Sequence, residues 1–146
     1  MSQVLSAFEQ FGAEQFSKMV CQMAPYFSTI NPVFVELKPG YSEARIPKVR
    51  EIENHIGTVH AIAMCNAAEL VGGTLTDATL PEGMRWIPKG MTVQYLAKAK
   101  TDLRAVATAE GVDFTEAGDK VVAVDIFDTA GTRVFHADIT MDVRPK

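Results

Sequence analysis

Cysteine and histidine are scarce in this sequence, and their placement argues against the sites that they usually build. The chain has two cysteines and three histidines among 146 residues. Cys21 and Cys65 lie in apolar, helix-like segments, and neither has a second Cys or a His nearby at metal-ligand spacing. This arrangement is typical of buried free thiols in a reducing compartment. We therefore expect no disulfide framework and no zinc site.

Positive charge is also in short supply. The 14 Lys and Arg residues are outnumbered by 18 Asp and Glu, which argues against nucleic acid or an anionic membrane as a partner. The N-terminus lacks a basic stretch followed by an apolar core, so no signal peptide is expected. The most apolar run, 57–75, is interrupted by His60, Asn66, Glu69 and a glycine pair, which argues against a membrane span. We expect a soluble, cytoplasmic protein.

The length and the 47% hydrophobic content predict one domain, 1–146, with a sizeable core. Residues 3–24 carry apolar side chains at helical spacing and predict an amphipathic helix that packs within the domain. Residues 33–49 are strand-like on both sides of Pro39-Gly40, which indicates a hairpin. Segment 57–75 predicts a buried helix, with Thr58 as its N-cap and a C-terminal end weakened by Gly72-Gly73.

The second half of the chain is strand-rich. Four strand-like segments follow a loop at 80–83: 91–100, 103–109 and 135–143 alternate, and 120–127 is β-branched and apolar. A helix too apolar to meet water needs a sheet around it. We therefore predict an α+β fold in which five to six antiparallel strands wrap around the central helix, with an extra N-terminal helix.

Glu69 stands out within this apolar run. No other residue of 57–75 is charged at pH 7 unless His60 is protonated. Burying an ionised carboxylate without partners is costly, so a carboxylate at this position needs a reason. It is either a general base or nucleophile in a dry pocket, or a structural group that reaches the helix end or a backbone N–H.

Segment 54–61, Asn-His-Ile-Gly-Thr-Val-His-Ala, adds a motif, and Glu69 follows fifteen residues after Asn54. The pattern resembles the signature of hotdog-fold acyl-CoA thioesterases of the phenylacetic-acid-pathway and mammalian thioesterase-superfamily-member type. That signature has Asn, two residues, Gly-Thr-aliphatic-His-Gly-Gly and then an acidic residue. Segment 95–100 also resembles the family's Tyr-x-x-Pro-Ala strand end. The resemblance covers most of the chain and is nearest to an uncharacterised thioesterase branch.

The resemblance implies hydrolysis of an acyl-CoA or related thioester. Glu69 would activate water or attack the carbonyl, Asn54 would position a reacting group, and the Ala61 N–H would stabilise the oxyanion at the first helical turn. Substrate contacts are expected from three further residues: Gly57, His60 and Asn66. The resemblance also implies a homodimer with its sites between subunits, commonly paired into a tetramer, and no metal or redox cofactor.

Ala61-Ile62 stands where the family has Gly-Gly, so side chains crowd the oxyanion position. This departure leaves open a second interpretation, a non-catalytic acyl-thioester-binding dimer. A third is a dehydratase, since His55 and Glu69 have the fourteen-residue spacing of the hotdog acyl-carrier-protein dehydratases. Nothing in the sequence singles out His55 as a general base, which places this interpretation below hydrolysis.

Five other residues carry weaker expectations. Trp86 and Tyr95 either line an acyl tunnel or pack in the core. Lys98 and Lys100 are candidates for binding the phosphates of CoA. His136 lies on the polar face of the last strand and is expected to be exposed.

Overall fold

A computed structural model describes residues 2–146 as two long helices and one sheet. The elements are α1 (Gln3–Met23), β1 (Val33–Lys38), β2 (Tyr41–Ile46), α2 (Ala61–Thr79), β3 (Met84–Tyr95), β4 (Leu103–Thr108), β5 (Gly118–Phe127) and β6 (Arg133–Pro145), with short 3₁₀ helices at Pro25–Ile30 and Arg50–Ile52. The six strands form one antiparallel sheet in the order β1-β2-β4-β5-β6-β3. This architecture confirms the predicted α+β fold.

The sheet wraps around α2, as predicted. The helix contacts all six strands, and 12 of its 19 residues are buried. Its apolar composition explains this position, because side chains on nearly every face can leave water only inside a curved sheet. None of the helices in residues 2–146 is both long enough and apolar enough to span a bilayer.

The glycine pair of α2 does not weaken the helix end, contrary to the prediction. The helix runs through both glycines to Thr79. A Cβ added at Gly72 would lie 2.8 Å from Cδ1 of Ile139, and one at Gly73 would lie 2.9 Å from Cη2 of Trp86. The bare backbone thus lets the sheet approach the helix, and this packing outweighs the low helix propensity of glycine.

Helix α1 packs on the β1 edge of the sheet, as expected, but it is broken at Gly12. Gly12 has φ 80°, a conformation that side chains rarely adopt. Beyond the break, the Phe16 ring packs edge-on against Phe34 at 4.9 Å, and Ser17 Oγ accepts the Phe34 N–H at 2.8 Å. The second part of α1 thereby covers part of an otherwise open strand edge.

Strand β3 differs most from the prediction. The predicted segment 91–100 overlaps only its end, because β3 starts at Met84 and stops at Tyr95. It pairs with β6 alone and is exposed on both faces; Met91 is 39% and Tyr95 57% exposed. Alternation of side chains therefore did not mark burial here, and β3 leaves one edge of the sheet unpaired.

The two cysteines are free thiols, as expected, but they are half-buried rather than buried. Cys21 lines a surface pocket between α1 and β1, and partial burial raises the pKa of its thiol. Cys65 lies on a side of α2 that the sheet leaves open. Helix α1 is largely exposed, and on the mostly buried α2 the sheet leaves the Cys65 position uncovered.

Candidate active site

The motif segment folds into a tight turn that Asn54 holds together. Its Oδ1 accepts the N–H groups of Ile56 and Thr58, both at 3.1 Å, and its Nδ2 donates to Thr58 Oγ1 at 2.8 Å. Gly57 forms the exposed tip at φ 78°. The primary amide has two N–H donors, so one amide proton of Asn54 remains for another partner.

His60, not Thr58, is the N-cap of α2, which corrects the prediction. Its Nδ1 accepts the Ile62 N–H at 3.0 Å. The chain is still extended before it, because the Val59 and His60 N–H groups bond to backbone carbonyls outside the helix, each at 2.8 Å. A neutral His60 whose Nδ1 accepts must carry its proton on Nε2, where the exposed ring can donate.

The Ala61 N–H is a free donor at the start of α2. The Ile62 N–H is taken by the His60 cap, and the Met64 N–H bonds to the His60 carbonyl at 3.2 Å. Within residues 2–146 no group accepts from the Ala61 N–H. A free N–H at the positive end of a 19-residue helix suits a developing oxyanion.

A cleft of about 360 Å³ brings Asn54 and Ala61 together; we name it the signature cleft. Its walls are the turn, the first helical turn of α2 and the segment that follows β3. The lining residues are Asn54, Ile56, Thr58, Val59, Ala61, Met64, Tyr95, Leu96, Ala97, Lys98 and Ala99. Most of the lining is apolar, and Lys98 supplies the one cation.

Glu69 lies outside this cleft. It follows Ala61 by eight residues, which is about 12 Å along the axis of α2 at about 1.5 Å per residue. The carboxylate is half-buried, and among residues 2–146 it makes no hydrogen bond or ion pair. One chain therefore does not bring Glu69 to the Ala61 N–H.

Glu69 belongs to a stripe of α2 that the sheet does not cover. From Met64 to Ala78 the only residues that are not buried are Cys65, Glu69 and Asp77. They recur at multiples of four, and Gly73 completes the series; we name these four residues the α2 stripe. This i, i+4 spacing is visible in the sequence, but only the fold shows that the sheet leaves this side open.

Two aromatic side chains of β3 reach the α2 stripe. Tyr95 Oη lies 3.9 Å from Cys65 Sγ, and this contact raises the pKa of Tyr95. The Trp86 ring lies on Gly73, and its Nε1 donates to Asp77 Oδ1 at 3.2 Å. Both residues therefore border the open side of α2, and each also contacts the core, Trp86 as a half-buried side chain and Tyr95 through Phe135.

His60 and Asn66 meet in a second pocket of about 210 Å³ beside the α2 N-terminus. Asn66 is 7% exposed, and its Nδ2 donates to Thr29 Oγ1 at 3.2 Å. Its Oδ1 has no donor within residues 2–146. Glu51 and Glu53 also line this pocket, which does not include Asn54. Of the three predicted substrate contacts, His60 and Asn66 thus share this second pocket, and Gly57 lines neither pocket.

The two remaining histidines, His55 and His136, have different surroundings. His55 is exposed in the turn. His136 is not simply exposed, contrary to the prediction, because its Nδ1 lies 2.7 Å from Asp125 Oδ1 and its Nε2 lies 3.2 Å from Asp138 Oδ1. Its side chain is 22% exposed, and the bond to Asp125 raises the pKa of the imidazole. Pairing across β5 and β6 creates this cluster, which no single strand reveals.

The fold is the hotdog fold of thioesterases. A thioesterase from Haemophilus influenzae is similar with a TM-score of 0.76 at 17% identity, over 88% of this chain and 90% of that chain. A Pseudomonas aeruginosa protein of unknown function, described as a probable thioesterase, gives 0.78 at 22% identity, over 92% and 100%. A Streptococcus mutans protein bound to acetyl-CoA gives 0.67 at 20% identity, over 77% and 88%.

Within this class, the chain belongs to the family described as Domain of unknown function (DUF4442), whose model matches residues 12–143. A crystal structure named only as a genomics target is 55% identical, with a TM-score of 0.91 over 99% of this chain and 97% of that chain. No curated protein matches the sequence.

Proposed function

We propose that the protein hydrolyses acyl-CoA thioesters as a homodimer whose active sites each use both chains. The observation that carries this proposal is the separation of two complementary groups. The positions of Ala61, which carries the oxyanion-type donor, and Glu69, which carries the unpaired carboxylate, are about 12 Å apart along the axis of α2, a longer distance than the Glu69 side chain spans. A second chain can bring its own Glu69 to the signature cleft.

The open edge of β3 is the surface that favours such a dimer. Its outer backbone groups lack a partner along a strand of 12 residues, and apolar side chains such as Met91 and Tyr95 are exposed there. Antiparallel pairing of two β3 strands would satisfy those groups and continue the sheet. Light scattering is then expected to give twice the chain mass of 15.9 kDa, or a multiple of that dimer such as a tetramer.

The chemistry follows from the free donors and the carboxylate. The thioester oxygen accepts from the Ala61 N–H, and the remaining Asn54 amide proton orients the substrate or the nucleophile. Glu69 takes a proton from water as the oxygen attacks, the C–S bond breaks, and the proton passes to the thiolate. In the alternative route, Glu69 attacks the carbonyl carbon itself, the C–S bond breaks to release the CoA thiolate, and water then cleaves the resulting mixed anhydride to regenerate Glu69. His60 Nε2, Gly57 and Asn66 contribute substrate contacts.

The first test compares Glu69→Gln with wild type in thiol release from short, long and aryl acyl-CoAs. We expect the variant to lose about a hundredfold or more, as is usual when a general base is removed. Glu9→Gln, an exposed change on α1, is the matched control and should behave as wild type. Equal rates for Glu69→Gln and wild type would rule out Glu69 as the catalytic group.

Ala61→Pro tests the oxyanion donor with little cost to the fold. Proline is favoured at the first helical position, and His60 already has the extended backbone (φ −63°, ψ 138°) that precedes proline. The change removes one N–H, and the loss of such a donor costs about 10²–10³ in kcat. Retained activity would show that another group stabilises the oxyanion.

Mixing the two variants tests the shared site. A heterodimer of an Ala61→Pro chain and a Glu69→Gln chain has one site free of both changes if each site uses both chains. A random mixture should then recover roughly a quarter of wild-type activity. No recovery from refolded mixtures would contradict a site built from two chains.

A non-catalytic acyl-thioester-binding dimer is the second candidate. Ala61 and Ile62 favour it, since Ile62 is 54% exposed where the resembling signature has glycine. Such a protein would release no thiol yet would be stabilised against heat by acyl-CoA.

A further inference from the structure

Trp86 covers the α2 stripe one turn beyond Glu69. Gly73 follows Glu69 by four residues, and a Cβ there would lie 2.9, 3.6 and 3.8 Å from Cη2, Cζ2 and Cζ3 of the Trp86 ring. The edge of the indole therefore rests on the helix backbone. It buries Gly73 in a series whose other members stay partly open.

The ring is held in place from two sides. Its Nε1 donates to Asp77, the next member of the stripe, at 3.2 Å, and β3 fixes its backbone by pairing Trp86 with Val143 of β6. A side chain with two such constraints has few alternative rotamers near the helix. Trp86 is thus a rigid wall and not a mobile cover.

The open segment of the stripe has two unlike ends. At the Cys65 end, Tyr95 also lines the signature cleft, which contains Lys98, a cation suited to a phosphate-bearing CoA arm. At the Gly73 end the wall is the Trp86 ring. An apolar acyl group gains from contact with such a ring, whereas the phosphates of CoA do not.

A second space, of about 540 Å³, lies beyond the indole. Its lining is mixed and comprises Ser2, Gln3, Asp77, Leu80, Pro81, Glu82, Met84, Arg85, Trp86 and Lys146. Between Glu69 and Gly73 the helix advances about 6 Å, the length of a chain of roughly four carbons. Trp86 separates this short segment of the stripe from the larger space.

We infer that Trp86 ends the acyl-binding groove beside Glu69 and limits the substrate to short acyl groups. This inference rests on the proposed thioesterase function. If Trp86 only packed on the helix, replacing it would leave the preference for acyl-chain length unchanged. If it ends the groove, replacing it should change that preference.

The test measures kcat/KM for straight-chain acyl-CoAs from acetyl to dodecanoyl. Wild type should decline steeply beyond short chains. Trp86→Leu, which opens the wall, should raise the octanoyl-to-acetyl ratio at least tenfold, in line with the size of pocket discrimination per methylene. Trp86→Phe, which retains a ring but loses the Asp77 hydrogen bond, is the matched control and should stay closer to wild type.

Three results would overturn the inference. The first is a wild-type enzyme that prefers long acyl chains. This result overturns the inference even if Trp86→Leu yields too little folded protein to measure. The second is an octanoyl-to-acetyl ratio of kcat/KM that stays unchanged in Trp86→Leu. The third is an equal change in kcat/KM for every chain length, which would place Trp86 beside the CoA arm. In these cases the proposed function stands, whereas no thiol release by wild type from any acyl-CoA contradicts the proposed function itself.

Discussion

The effect of Gly73→Ala on the free energy of unfolding should depend on the residue at position 86. The substitution should destabilise the protein that has Trp86 and stabilise a protein that has leucine there. In the wild-type background the new methyl would meet Trp86 Cη2 at 2.9 Å, and the indole cannot turn away without losing its bond to Asp77. Overpacking of this kind costs about 1–3 kcal/mol. Alanine recovers about 1 kcal/mol through its higher helix propensity. The expected result is a net decrease of about 1 kcal/mol in the free energy of unfolding.

In a Trp86→Leu background the clash is absent, because leucine does not extend to the position of Cη2. Only the propensity gain remains, so Gly73→Ala should stabilise that protein by up to about 1 kcal/mol. The double-mutant cycle then gives a coupling of about 2 kcal/mol between positions 73 and 86.

Urea unfolding of the four proteins, followed by circular dichroism, measures both values. Slopes of the unfolding free energy against urea should agree among the four, so that midpoints report stability alone. The reasoning is refuted if Gly73→Ala has the same effect in both backgrounds. Gly73 would then be tolerated because the helix shifts and not because the ring requires a bare backbone.

Two other predictions concern the turn and the histidine cluster. Asn54→Ala removes three hydrogen bonds, each worth about 1 kcal/mol, so urea unfolding should show a loss of about 2–3 kcal/mol; a loss below about 0.5 kcal/mol would mean that the turn holds without the amide. His136 has a pKa raised above its ordinary value by Asp125, so its stabilisation is full below about pH 6.5 and is lost as pH rises through the native pKa. The difference in unfolding free energy between wild type and His136→Asn should therefore be larger at about pH 6 than at about pH 9, and the opposite order would contradict it.

The elements with a clear period were predictable from the sequence. Strand β6 alternates strictly because one face meets the core and the other meets water, and α2 is largely apolar because the sheet covers it except along the α2 stripe. The hairpin at Pro39-Gly40 combines a fixed φ with a residue that accepts φ 82°. Each of these patterns depends on residues close together in the sequence, and the tertiary packing of the elements is consistent with them.

Strand β3 and the helix cap were not predictable in the same way. Residues Met84 to Ile87 alternate between half-buried and exposed, but a register shift between Pro88 and Gly90 interrupts the pattern, and most of the rest of β3 is exposed. Thr58 is a preferred N-cap type, but the chain is still bonded in extended form at Val59 and His60. The helix can begin only after those bonds, and His60 therefore becomes the cap.

The motif spacing predicted which residues gather at the α2 N-terminus, but it did not predict how far apart they lie. Fifteen residues from Asn54 to Glu69 include a turn and more than two turns of helix, and the rigid rise of the helix turns that spacing into a separation of about 12 Å between Ala61 and Glu69. An unpaired, half-buried carboxylate and a free N–H on one helix are each costly alone. In the proposed dimer, a second chain along β3 would bring both groups to one substrate, which is why mixed variants, rather than single ones, are the decisive experiment.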